Sequence, residues 1–568
     1  MRVLGVNFSN DAAAAIMVDG RVEMAVQEER FARVKHYAGF PEQAIDACLS
    51  RSGCCMEDVD AVAFFWNPGI HATVPSRRMS SVPRHHLEFL YDLPNHLLPR
   101  FGHGQVPEVT EQVFHFSNGK RLRIFYVTHH LAHAAGALFS SPFDEAAVLT
   151  ADGYGERDST VIWRASGTRF ERLWTQEFPH SLGSYYAAMT EFLGFKANSG
   201  EGKVMGLAAY GEPTYADFFR QVLRLTRDGF ELDLSYFDFY LERPARFSSR
   251  MVAALGEPRK PESPIEKRHQ DVAASMQLVF EEAILHLAAL ARSKTGMDTL
   301  CMSGGVTLNC AANGRLVRSG LFRRYFFQPA CSDAGAGLGA AQYVTHVLLG
   351  FPRGAARMLS EYLGPEHSND EVKKVLERGG IRHLTPDDPY GLAGKLLARG
   401  LIGSVFQGKA ELGPRALGNR STLADPRPAE MKDRLNATVK FREPFRPFAP
   451  SVLVERAPEY FDGCTFSPFM LRVYPTRPDR LHEAQAVTHV DGGARVQTVD
   501  REDNPTYYHL IESFRDETGT PLVLNTSFNI RGEPIVNSPG DAVKCYLTTG
   551  MDFLVMGDFL LVKDPRVL

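Results

Sequence analysis

Residues 146–156 read AAVLTADGYGE, and two further segments follow at close intervals, DSTVIWRASG at 158–167 and TRFERLWTQE at 168–177. Each apolar or alternating run is broken by Gly and Asp, the composition of strand, turn, strand. The same layout opens the chain: RVLGVN at 2–7, AAAAIMVDG at 12–20 and RVEMAVQEER at 21–30, parted by FSND and by the hairpin dipeptide Asp19-Gly20. Two copies about 145 residues apart are too widely spaced for a solenoid, so the pattern predicts two related halves, each opening with a polar loop between its first two strands.

That layout resembles the duplicated ATPase core of actin, the sugar kinases and Hsp70 (the ASKHA fold), and the segments downstream fit a nucleotide-handling α/β protein. Residues 269–293, HQDVAASMQLVFEEAILHLAALARS, carry apolar positions at three-and-four spacing and predict a long amphipathic helix. TLCMSGGVTLNCAANGRL at 299–316 reads as strand, Gly304-Gly305, then helix, an arrangement that turns backbone N–H groups toward a phosphate. PACSDAGAGLGAAQ at 329–342 adds an acidic residue and a second Gly-rich helix entry. Between 356 and 390 the pattern weakens into Pro, Gly and Asp, which predicts a connection between a first domain over 1–355 and a second over 391–568.

The bulk numbers agree with two or more independently folding domains. The chain has 568 residues, 44% apolar and 23% charged, a globular composition. Its 63 basic and 67 acidic residues leave a formal charge of -4, with no basic tail of the kind a nucleic-acid binder carries. Eight cysteines without a CxxC pair predict a reducing cytoplasm. The N-terminal segment has no signal-peptide pattern, and no stretch approaches the apolar length of a spanning helix, so a soluble cytoplasmic protein with no membrane partner is expected.

Two constellations carry chemistry. In THHLAH at 128–133, His129 and His133 stand one helical turn apart, on one face, where two ring nitrogens reach a common point. A pair with no third ligand in view also serves an ordinary helix start. Past residue 400, QGKAELGPRALGNRSTLADPR (407–427), KFREPFRPFAP (440–450) and LNTSFNIRGEP (524–534) concentrate Arg415, Arg420, Lys440, Arg442 and Arg446 among prolines, aromatics and short polar residues. Arginine forks and a mobile ammonium together favour a polyanion over scattered surface ion pairs.

Taken in order, HHLAHAAGA, TADGYGE, EGKVMGLAAYGEP, SGGVTLN, SDAGAGLGAA, QGKAELGPRALGNRSTLADPR, KFREPFRPFAP and LNTSFNIRGEPIV resemble the NodU/CmcH/TobZ-type O-carbamoyltransferase family of antibiotic and nodulation-factor biosynthesis, over essentially the whole chain. The resemblance implies an actin-like N-terminal domain similar to the tRNA threonylcarbamoyl transferase, joined to a YrdC-like α/β C-terminal domain. It implies that the second domain makes carbamoyl adenylate from ATP, accompanied by Mg²⁺, and carbamoyl phosphate, and that the first moves the carbamoyl group to a hydroxyl of a small-molecule acceptor. His129, His133, Asp152 and Asp333 become a metal set, iron(II) by the resemblance, although the donor types serve iron, zinc and manganese alike. Lys203, Gly206, Gly304, Gly305, Asn309 and Gly335 are expected to hold the adenylate, and Arg415, Lys440, Arg446, Arg495, Asn525 and Ser527 to hold ATP and carbamoyl phosphate.

One departure stands out. The family carries His-Asp in the first loop, where this chain has Asn10-Asp11, so either Asp11, His36 or His130 is the base or polarisation by the metal suffices without one. A homodimer is a further expectation from the family. A tRNA-modifying enzyme, a sugar kinase and a non-catalytic actin-like scaffold are the competing readings; the first lacks the basic surface, and the others leave the histidine pair or the arginine clusters unused.

Overall fold

A computed structural model of the chain describes residues 1–67, 107–241, 245–353 and 361–568. It divides into two compact units, Met1–Ala25 with Ala38–Met358, and Val26–Tyr37 with Leu359–Leu568.

The first unit contains the predicted duplication. Its first sheet uses β1 (Arg2–Asn7), β2 (Ala13–Val18), β3 (Arg21–Gln27), β4 (Ala61–Phe64), β5 (Val109–His115) and β6 (Arg121–Val127), in the order β3-β2-β1-β4-β6-β5. The second uses β7 (Glu145–Gly155), β8 (Asp158–Ser166), β9 (Arg169–Glu177), β12 (Thr299–Ser303) and β13 (Arg324–Phe327), in the order β13-β12-β7-β8-β9. In both halves the opening strand pairs antiparallel with the second and parallel with the fourth of its sheet, so the actin-like repeat is one of topology as well as of sequence. A separate hairpin, β10 (Leu223–Thr226) and β11 (Gly229–Leu232), lies between the second meander and its parallel strands in the chain.

Helices His129–Ser140 and Ala336–Tyr343 pack closely because their contact is made of small residues. A Cβ on Gly339 would stand 2.0 Å from the Ala132 carbonyl oxygen, so only glycine admits this approach. Helix Lys267–Thr295 corrects one expectation: by length and composition it could cross a membrane. It is 67% buried over that apolar stretch and serves as a core helix of the unit.

The second unit is built on a seven-stranded mixed sheet. Its strands are β14 (Gly403–Phe406), β15 (Arg420–Ala424), β16 (Ala449–Leu453), β19 (Gln497–Val499), β20 (Leu522–Ser527), β21 (Phe553–Met556) and β22 (Phe559–Val562), ordered β19-β16-β20-β15-β14-β21-β22. A two-stranded ribbon, β17 (Val473–Pro475) with β18 (Gly493–Arg495), accompanies it.

Two domain boundaries differ from the sequence reading. Residues 26–37, expected in the first domain, belong to the second unit: Arg30 donates to the Gly413 carbonyl at 2.7 Å, and Arg33 to those of Ile535 and Pro534 at 2.7 and 3.0 Å. The expected connection 356–390 is largely folded. Its first residues, 356–360, lie outside the described residues, but Asn369–Arg378 is a helix with a Ser368–Glu371 capping box. A second helix, Pro389–Ala398, starts at the Asp388 cap, and both pack into the core of the second unit. The Pro, Gly and Asp of this stretch are caps and turns.

Candidate metal centre and cationic site

The metal donors predicted in the first unit converge. His129 and His133 lie at the start of their helix, Asp152 sits where the β7–β8 register breaks between Ala151 and Gly155, and Asp333 opens the turn before helix Ala336–Tyr343. His133 Nε2 is 3.3 Å from Asp152 Oδ2 and 3.7 Å from Asp333 Oδ1; His129 Nε2 is 3.6 and 3.8 Å from the same atoms. One donor atom from each residue fits within 4.8 Å of every other. Both Nε2 atoms are buried and have no hydrogen-bond partner among the described residues, a costly arrangement unless something binds there.

Outer contacts orient His133, Asp152 and Asp333, as in many metal sites, while His129 Nδ1 is buried without a hydrogen-bond partner among the described residues. Ser303 Oγ meets His133 Nδ1 at 3.0 Å, Gly153 N–H donates to Asp152 Oδ1 at 2.7 Å and Gly305 N–H to its Oδ2 at 2.9 Å. Ser9 Oγ–H donates to Asp333 Oδ2 at 2.6 Å, and Asn7 Nδ2 to the Asp333 carbonyl at 2.8 Å. Burial opposes a charge on His133, but the two carboxylates outweigh it and push its pKa up to about 9. Burial likewise disfavours the charge on Asp152, yet the two imidazoles hold its carboxyl well below the usual range. Two imidazoles and two carboxylates therefore fit a borderline divalent cation.

The remaining first-unit candidates separate. Gly304 has φ +95° and lies so close to Ala151 that a Cβ would be 2.1 Å from its carbonyl oxygen. With Gly305 donating to Asp152, the Gly-Gly turn read as a phosphate loop serves the metal donors. Gly335 abuts the Ala330 carbonyl beside Asp333. Asn309 spends its amide on Gln277 in both directions and on the Ala312 N–H, as the cap of helix Cys310–Arg318. Lys203 and Gly206 lie on helix Glu201–Ala208, with the Lys203 ammonium 5.4 Å from the Phe195 ring centre.

Of the candidate bases, Asp11 accepts from Ser332 Oγ at 3.1 Å, next to Asp333 in sequence. His36 belongs to the second unit, where its N–H donates to Glu29 at 2.8 Å. His130 has both ring nitrogens engaged, with Thr150 Oγ1 at 2.9 Å and the Asp158 carbonyl at 3.1 Å. It is 1% exposed, and burial with its two histidine neighbours holds its pKa well below the ordinary value. That corrects its place among the bases: its ring is a packing element.

Glu156 was missed in the sequence, although TADGYGE ends on it. Thr128 provides no side-chain cap for helix His129–Ser140; the buried Glu156 carboxylate takes the His129 N–H at 3.1 and 3.2 Å and the Asn67 N–H at 2.8 Å. Glu156→Ala should strand two buried donors at about 1–3 kcal/mol each. It should also weaken metal affinity about ten- to a hundredfold, the usual scale for an outer-shell partner. Glu156→Gln, which keeps an acceptor, should lose less. Thermal unfolding and metal titration read both effects, and wild-type values for the alanine variant would refute the role.

In the second unit Lys440, Arg442, Arg446, Arg415, Arg495 and Arg531 act on one another's charge. The Lys440 ammonium is buried among neutral oxygens: the Ser527 carbonyl, Ser527 Oγ at 3.3 Å, and the Asn529 carbonyl and Oδ1 at 2.9 and 2.8 Å. Burial, and then Arg442, Arg446 and Lys35, hold its pKa well below the ordinary lysine value. Burial with Arg446 and Arg495 does the same for Arg442, which donates to Asn436 Oδ1 at 3.0 Å and to the Pro447 carbonyl at 3.1 Å. Arg446 is lowered by burial and by Arg415 and Arg531, against the pull of Glu443. Glu443 stands 3.7 Å from both Arg446 and Arg531. Arg446 and Arg531 meet this carboxylate, and Arg442, Arg415, Arg495 and Lys440 lie in one another's or in Arg446's field, a cluster of cations suited to a polyanion. Arg531 joins it beyond the residues singled out from sequence. Asn525 is placed differently: its Nδ2 donates inside the unit to Ser451 Oγ at 3.0 Å, Gln497 Oε1 at 3.1 Å and the Ala416 carbonyl at 3.3 Å. Arg420 is fully buried over the Phe406 ring and donates to the carbonyls of Asn419, Gly408, Pro365 and Gln407, so it supports the fold.

Comparison with known proteins shows the family. Residues 2–342 match the family described as carbamoyltransferase N-terminus, and residues 394–563 the family described as carbamoyltransferase C-terminus. Nodulation protein NolNO of Sinorhizobium fredii is 39% identical, over 98% of this chain and 79% of its own length. An uncharacterised Synechocystis protein is 40% identical over 99% of this chain and 97% of its own. The 3'-hydroxymethylcephem-O-carbamoyltransferase of Amycolatopsis lactamdurans is 31% identical over 80% of this chain and 84% of its own. The chain belongs to the carbamoyltransferase family and is a transferase enzyme.

Proposed function

We propose that this carbamoyltransferase divides its reaction between its two units. In the second, carbamoyl phosphate loses its phosphate to water, and the freed carbamate oxygen bonds to the α-phosphorus of ATP as pyrophosphate leaves, giving carbamoyl adenylate. Arg415, Arg446 and Arg495 bind the phosphates, the buried Lys440 adds its charge behind them, and Mg²⁺ accompanies ATP. In the first, a hydroxyl of a small-molecule acceptor attacks the carbamoyl carbon; the bond to AMP breaks and AMP leaves. His129, His133, Asp152 and Asp333 would hold a divalent cation, iron(II) in keeping with the family resemblance. Bound there, it would polarise the carbamoyl carbonyl as a Lewis acid. Asp11, which accepts from Ser332 Oγ, receives the hydroxyl proton in this reading, and Ser303, Gly305 and Ser9 orient His133, Asp152 and Asp333 before substrate arrives.

The observation that carries this reading is the pair of buried, unpartnered Nε2 atoms facing two carboxylates. The name of the Amycolatopsis relative supports O-carbamoylation and antibiotic biosynthesis, and eight free cysteines support a cytoplasmic setting. The full chain, given ATP, Mg²⁺ and carbamoyl phosphate without acceptor, should release one pyrophosphate and one orthophosphate per carbamoyl adenylate formed. Release of ADP instead would replace adenylation with phosphoryl transfer and end the proposal.

A further inference from the structure

Residues 408–420 join β14 to β15, and side chains tie down most of that loop. The Leu417 carbonyl accepts from Tyr362 Oη–H and from Gln497 Nε2, both at 2.8 Å. Gly418 N–H donates to Ser421 Oγ at 2.9 Å, and its carbonyl accepts from Gln407 Nε2 at 2.9 Å. On the other arm Gly413 N–H donates to Gln27 Oε1 at 3.2 Å, and its carbonyl accepts from Arg30. At the centre is Glu411, 4% exposed, whose Oε1 accepts the N–H groups of Leu417, Asn419 and Arg420 at 2.7, 2.9 and 3.2 Å. Converging amides of this kind form an anion-binding concavity, and here a carboxylate of the same chain fills it.

Between the pins lie Pro414 and Arg415. The Arg415 charge acts on Arg446 and lowers its pKa, and Arg415 Nε is buried with no hydrogen-bond partner among the described residues. Two guanidinium groups repel, and a free loop would let Arg415 swing into water. The geometry points to Glu411 as a positioning residue: by holding three loop amides it keeps Arg415 set against Arg446 before an anionic substrate arrives. Ordering of the loop is then complete in the free enzyme, and binding incurs none of that entropy. This inference rests on the reading of Arg415 as a phosphate ligand.

The test is a double-mutant cycle on the full chain, reading KM for carbamoyl phosphate in ATP-dependent pyrophosphate release, with thermal unfolding as a control. Arg415→Ala should raise KM about ten- to a hundredfold, and Glu411→Ala by a similar factor at nearly unchanged kcat. Glu411→Gln keeps the acceptor without the charge and should raise KM only about two- to fivefold. The double variant Glu411→Ala/Arg415→Ala should be no worse than Arg415→Ala alone. If the two factors multiply, Glu411 acts independently and the inference is overturned while the phosphate role of Arg415 stands. A wild-type KM for Arg415→Ala overturns that role and the inference with it. Should Glu411→Ala not fold, the same cycle is run with Glu411→Gln, whose rise in KM must vanish beside Arg415→Ala; an unchanged KM, or a rise that persists, overturns the positioning role.

Discussion

His133→Ala should lower carbamoyl transfer about a hundred- to a thousandfold, the scale on which single groups that stabilise developing charge act. Metal content should fall with it. The substitution removes an imidazole whose Nε2 faces Asp152 Oδ2 at 3.3 Å and whose Nδ1 is fixed by Ser303, leaving two carboxylates with one histidine between them. With one of its four ligands gone, the three-donor set is a weaker trap for any cation. The fold should survive, because alanine is a good helix former and the helix is already lined with Ala132, Ala134, Ala135 and Ala137 in its packing. A cavity the size of an imidazole costs about 2–4 kcal/mol at most, which a unit of this size tolerates. Pyrophosphate release from ATP and carbamoyl phosphate should be untouched, since the cations assigned to that step belong to the other unit. Elemental analysis beside a transfer assay checks the pairing of effects; full transfer with stoichiometric metal in this variant would remove His133 from the site.

How much of this was legible in the sequence depends on how local the cause is. The repeat of strand, polar loop and strand is local, so the duplicated topology could be read from RVLGVN and AAVLTADGYGE. The His129–His133 pair was legible for the same reason: one helical turn fixes the geometry. Asp152 and Asp333 are donors only because the register break after Ala151 and the turn before residue 336 bring them to that helix, and no spacing rule carries such information across so much chain. Residues 26–37 were misplaced because their partners, the carbonyls of Gly413, Pro534 and Ile535, are distant in sequence. Composition misled at 356–390, where Asp388 and Ser368 look like linker residues and are helix caps. Gly304-Gly305 has the signature of a phosphate turn, yet the N–H of Gly305 is taken by Asp152; a glycine pair reveals a tight turn, and its client is settled by tertiary contacts.

Arg446→Ala should fail at the opposite step. Its guanidinium is part-buried, meets Glu443 at 3.7 Å, and sits in the field of Arg415 and Arg531, so it is charged at an electrostatic cost that a bound polyanion would relieve. Arg442, by contrast, already donates to Asn436 and Pro447, and is less available to a ligand. A charge-assisted contact to phosphate contributes about 1.5–3 kcal/mol, so the variant should lose ATP-dependent pyrophosphate release about ten- to a hundredfold. It should transfer normally from supplied carbamoyl adenylate, because the metal donors are untouched. Its thermal stability should hold or rise slightly: removing one member of a like-charged cluster relieves repulsion, offset by the loss of one long ion pair to Glu443. That sign separates a binding defect from unfolding, which would lower stability and activity together. The comparison with His133→Ala then decides the architecture. Opposite failures assign adenylation and transfer to different units; equal loss of pyrophosphate release in both variants would require a single shared site and refute the division of labour.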